Sequence, residues 1–110
     1  MKLNVDAAVQ QNICGLGWCV RDEEGMFIAV AACPWPGRLS PLNAELVRIR
    51  EALNWLKENG WTEMEVETYA ARAVSEILHG SSCSLVGLLG EHIRDLTKFF
   101  SSISFSHIRQ

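Results

Sequence analysis

Two carboxylates stand where a folding chain has reason to avoid them. Asp6 lies in Lys2 to Val9, KLNVDAAV, where Leu3, Val5 and Ala7 alternate with Lys2, Asn4, Asp6 and Ala8 at the period of two that marks a strand. Strand interiors disfavour Asp, because a buried carboxylate loses its hydration and must be re-paired with a cation, a metal ion or hydrogen-bond donors. Glu45 lies near the start of an amphipathic stretch whose apolar stripe is Leu42, Leu46, Ile49, Leu53 and Leu56. At helical spacing it falls about 60° from the centre of that stripe, so its carboxylate is expected at the rim of the packed face. Each has an ordinary explanation as well. Asp6 could sit exposed near a sheet edge or pair with Arg109, and Glu45 could complement a helix dipole. Taken together, they are the two positions from which a functional reading starts.

The elements that must position them follow from the pattern around them. Gly15 to Arg21 (GLGWCVR) and Met26 to Cys33 (MFIAVAAC) read as strands joined by the turn Asp22 to Gly25, DEEG, so the first three strands form an antiparallel meander. Pro34 to Ser40 interrupts the pattern. Ser40 then caps a helix with Pro41 at its first position, and Gly60 stops that helix after Asn59. Thr62 to Thr68 (TEMEVET) sets Met64 and Val66 against Glu63, Glu65 and Glu67 as a half-buried strand. A right-handed crossover places it parallel to the first strand. Ala70 to His79 reads as a shorter helix with Ala70, Ala73, Val74 and Ile77 inward and Gly80 at its end. Ser84 caps a third, with the stripe Leu85, Leu89, Ile93, Leu96 and Phe100, weakened by Gly87 and Gly90. Ser102 to Ile108 closes the chain as a strand in which His107 is expected to face the core and to be hydrogen-bonded. The expected fold is a mixed α/β sheet of spatial order 3-2-1-4-5, with the Lys2 strand at its centre and three helices.

Composition narrows the function classes. A chain of 110 residues that is 48% hydrophobic reads as one globular domain spanning residues 1–110. No apolar run reaches membrane-spanning length, and Asn4 and Asp6 break the apolar core a signal peptide would need, so an intracellular place, cytoplasmic or nuclear, is expected. The four cysteines form no CxxC pair and match no histidine spacing, which argues against a zinc site or a disulfide framework. The net charge of −3 comes with no basic run. Arg48, Arg50 and Lys57 are interleaved with Glu51 and Glu58 and read as a solvated mixed face, so binding to phosphates is expected to be weak unless metal ions contribute.

With NVDAAV, GLGWCVRDEEGMFIAVAAC, LNAELVRIREALNWLKENGW, VETYAARAV and FSHIR in this order, nearly the whole chain resembles the ribonuclease H superfamily, and specifically the plant reverse-transcriptase-like ribonuclease H domains. The resemblance implies a retroelement-derived domain that acts on nucleic acid, with an RNA/DNA hybrid as partner. It also implies two divalent ions, Mg²⁺ or Mn²⁺, held by an Asp on the first strand, a Glu on the first helix, an Asp on the fourth strand and an acidic or His residue on a C-terminal helix. Asp6 matches the first position and Glu45 the second, as catalytic and metal-binding residues. The third is replaced, because Tyr69 stands where the family has Asp. Glu67 shares the strand parity of Tyr69 but lies about 6 to 7 Å back along the strand, a helper only with distortion. The fourth position would fall on a helix beyond Gln110. The resemblance therefore implies a degenerate domain with weak or no cleavage. The alternatives are an active metal-dependent ribonuclease H and a protein-interaction module built on Trp35 and Trp55. The missing helix also leads to the expectation that a sheet face including Phe105 is covered by a second copy or another partner.

Overall fold

Alternating apolar residues become a sheet only if each strand finds a neighbour in the right register, and here they do. The computed structural model describes residues 2–5, 15–22, 24–34, 40–68, 70–80 and 84–108. In chain order the elements are β1 (Lys2–Val5), β2 (Gly15–Arg21), β3 (Phe27–Pro34), α1 (Pro41–Glu58), β4 (Glu63–Thr68), α2 (Ala71–His79), α3 (Leu85–Thr97) and β5 (Ser102–His107). The strands form a five-stranded sheet of order β3-β2-β1-β4-β5, with β1 central. β2 runs antiparallel to both β1 and β3, while β4 is parallel to β1 and to β5. Between β2 and β3, the carboxylate of Asp22 accepts from the backbone N–H groups of Glu24 and Met26, both at 2.9 Å. The turn thus supplies its own hydrogen bonds.

α1 begins and ends as its residue types dictate. Ser40 Oγ accepts from the Asn43 N–H at 3.1 Å, and Pro41 opens the helix where a missing N–H costs nothing. At the other end, Trp61 N–H donates to the Leu56 carbonyl and Gly60 N–H to that of Lys57, a Schellman closure that needs Gly60 at φ +80°. Leu46, Ile49, Leu53 and Leu56 are fully buried, with Leu42 packed at the margin.

The inner and outer faces of β4 separate cleanly. Met64, Val66 and Thr68 are buried beneath the helices, whereas Glu63 and Glu65 are exposed and Glu67 is half-buried on the other side. The parallel register sets Ile103, Phe105 and His107 beside Met64, Val66 and Thr68, so Phe105 packs against the core. The opposite face of these two strands carries glutamates and serines. The apolar patch that led us to expect a covering copy is therefore absent from this part of the sheet. His107 does not enter the core; it is exposed, at the end of the edge strand β5. Trp55 is partly buried against the core, which removes half of the motivation for an aromatic docking surface, and Trp35 lies outside the described residues.

α2 and α3 pack through glycines. The helix-weakening expected of Gly90 has a reason: a Cβ there would come within 2.9 Å of the Glu76 carbonyl oxygen, so the bare backbone lets α3 approach the end of α2. Arg94 Nη1 then donates to the carbonyls of Glu76 and Ile77, each at 2.9 Å, satisfying the last turn of α2. Leu85, expected in the α3 stripe, is instead exposed, while its neighbour Val86 packs against the core. Among the described residues, no helix is long and apolar enough to cross a membrane.

Candidate functional site

Glu45 is the predicted site residue whose surroundings are defined, and it lies deeper than the rim. It is 2% exposed. Its helix has neighbours on more than one side, touching β1 and β2 as well as α2 and α3. Ala44 through Ile49 are all buried in consequence. The same crowding overturns the reading of Arg48 as part of a solvated face, since Arg48 is 0% exposed. Arg50 and Lys57 do follow that reading. Arg50 meets Glu51 at 3.2 Å, and Lys57 lies 3.7 Å over the Phe99 ring. The three bases thus form no common track for phosphates.

Both carboxylate oxygens of Glu45 have partners. Oε1 accepts from the Thr68 hydroxyl at 2.8 Å, and Oε2 from Arg48 Nη1 at 3.3 Å. Thr68 is itself a junction. Its hydroxyl also accepts from the Ala70 N–H at 3.1 Å, and its carbonyl accepts from the Ile108 N–H at 2.9 Å. One side chain therefore links α1 to β4 and to the turn leading into α2, while its backbone holds the end of β5. Burial raises the importance of each contact, because a buried charge must be compensated where it stands.

Glu45 also lines a cavity of about 660 Å³ bounded by the starts of all three helices, including Ser40 to Asn43, Ala70 to Arg72 and Val86. Asn43, which also lines it, has its Oδ1 buried without a hydrogen-bond partner among the described residues.

The other predicted positions fall as follows. β1 is described to Val5, which pairs with Thr68. Asp6 and Tyr69 lie outside the described residues. Glu67 stands on the face of β4 opposite Thr68, away from the residue that meets Glu45. Among the described residues, no three His, Cys, Asp or Glu side chains come together as a metal-ligand set. A divalent ion at Glu45 would have to displace the Thr68 hydroxyl or sit beside the Arg48 guanidinium, so the groups that meet Glu45 among the described residues do not fit such an ion. Arg48 and Thr68 are the residues that sequence reading missed. The available signals were the i,i+3 spacing of Arg48 from Glu45, which brings the two together on one helix, and the parity of Thr68 with Met64 and Val66.

The reverse transcriptase-like family matches residues 4–110. No curated protein matches the sequence. Among solved structures, RNase H1 from the halophilic archaeon Halobacterium salinarum superposes with a TM-score of 0.83 at 18% identity, over 99% of this chain and 85% of that one. LC11 RNase H1, solved in complex with an RNA/DNA hybrid, gives 0.83 at 19% identity, over 99% and 85%. The N-terminal RNase H domain of a Mycobacterium tuberculosis protein, solved as a fusion with maltose-binding protein, gives 0.77 at 17% identity, over 100% and 88%. At these identities the likeness is one of fold.

Proposed function

The chain belongs to the reverse transcriptase-like family of the ribonuclease H superfamily, and on that footing we propose that it is a degenerate ribonuclease H-like domain. It associates with RNA/DNA hybrid or related nucleic acid and cleaves it weakly or not at all. The observation that carries the reading is the enclosure of Glu45, whose two oxygens are taken by Thr68 and by a buried guanidinium. The replacement of the family's third carboxylate by Tyr69 supports it independently. Asp6 and Glu45 remain the residues on which any residual chemistry would rest, with Glu67 a distant helper. Mg²⁺ or Mn²⁺ would be held weakly if at all, because a hard octahedral ion keeps most of its waters when few carboxylates reach it.

The net charge of −3 predicts modest affinity for the hybrid, falling steeply with salt. The test is a labelled RNA/DNA hybrid followed by anisotropy for binding and by gel for cutting, in Mg²⁺ and separately in Mn²⁺. Salt-sensitive binding with little or no product is expected. Efficient cutting that Asp6→Asn abolishes would replace this reading with an active metal-dependent ribonuclease H, and no binding even at low salt would remove the nucleic-acid partner.

A further inference from the structure

A carboxylate and a guanidinium one helical turn apart usually meet at a helix surface, where water screens them and the pair contributes little. Here both lie in the interior, at 2% exposure for Glu45 and 0% for Arg48, with Oε2 and Nη1 3.3 Å apart. The other oxygen of Glu45 accepts from the Thr68 hydroxyl of β4. The charge of this carboxylate is thus met from within the chain, on the same turn of the same helix.

We propose that Arg48 is a resident cation occupying the electrostatic place beside Glu45 that a divalent ion would otherwise need. Glu45 thereby becomes a latch holding α1 to β4 through Thr68, and the positive charge of Arg48 excludes divalent ions from it. This deepens the degenerate reading of the same site and rests on it. A divalent ion at Oε2 would have to displace the guanidinium and then remain near a full positive charge that is itself buried, where repulsion is less screened than at a surface. Removing that charge while keeping the volume should reverse the preference.

The experiment titrates Mn²⁺ into the native chain and into Arg48→Met, Arg48→Lys and Arg48→Met/Glu45→Gln, by calorimetry and by thermal unfolding. Arg48→Met should bind Mn²⁺ at least about tenfold more tightly than the native chain. Its melting temperature should rise with Mn²⁺, since an ion that binds the folded state stabilises it. Arg48→Lys keeps the charge and should ignore Mn²⁺ as the native chain does, and the double variant should lose the gain. Equal Mn²⁺ affinity in native and Arg48→Met chains would overturn the proposal. Should Arg48→Met fail to fold, Mn²⁺ broadening of amide signals in the native chain decides the matter. Selective broadening at Glu45 and Thr68 overturns the proposal, and broadening confined to the Glu63, Glu65 and Glu67 face supports it. Efficient hybrid cutting would end the degenerate reading, whereas Mn²⁺ at Glu45 in an inactive native chain would end this one alone.

Discussion

Replacing Thr68 by Val tests whether the hydroxyl, and not merely the volume, joins α1 to the sheet. The side chain is 1% exposed and makes two hydrogen bonds, donating to Glu45 Oε1 at 2.8 Å and accepting from the Ala70 N–H at 3.1 Å. Loss of a bond to a charged acceptor costs about 1.5–3 kcal/mol, and loss of the neutral one about 1 kcal/mol. The added methyl returns about 0.8 kcal/mol. The net expectation is a destabilisation of roughly 2–3 kcal/mol, or a fall in melting temperature of order 10 °C for a domain of this size. Thr68→Ser keeps the hydroxyl, loses one methyl and should cost only about 1 kcal/mol. Urea denaturation of both variants, compared at constant m-value, is the assay. If Val costs no more than Ser, the hydroxyl is not holding the helix and the latch reasoning fails.

Other consequences follow from the same contacts. Arg48→Met should destabilise by about 3–5 kcal/mol, because it strands a buried carboxylate, and adding Glu45→Gln should recover part of that loss in the same urea assay. Gly90→Ala should lower stability by about 1–2 kcal/mol in thermal unfolding, despite the better helix propensity of Ala, since its Cβ would meet the Glu76 carbonyl at 2.9 Å; a stabilised variant would show that α3 shifts freely. Tyr69→Asp combined with Arg48→Met should bind Mn²⁺ more tightly by calorimetry than either single variant, because one change adds a carboxylate and the other removes a repelling charge.

Much of the frame could be read from neighbours along the chain. The Ser40 cap, Pro41 and the Gly60 stop were legible because capping is decided within four or five residues. The alternation of Met64 and Val66 against three glutamates declared both faces of β4, and the crossover rule then placed β4 beside β1 and β5 beyond it. His107 was misread because alternation tells which side a residue takes, not whether anything covers it; at an edge strand, little does.

By itself, then, the sequence determined the order of elements, the sheet order and Glu45 as the acid to watch, since each depends on periodicity or on chain-local chemistry. Only the tertiary structure decided what Glu45 is bonded to. Thr68 is 23 positions away in sequence and reaches it because β4 returns beneath α1. Arg48 is buried because other elements close over the side of α1 that periodicity marks as outward. A helix pattern records one preferred face. Whether the opposite face meets water or another helix depends on elements far along the chain, and here that decision turned a surface ion pair into a buried one.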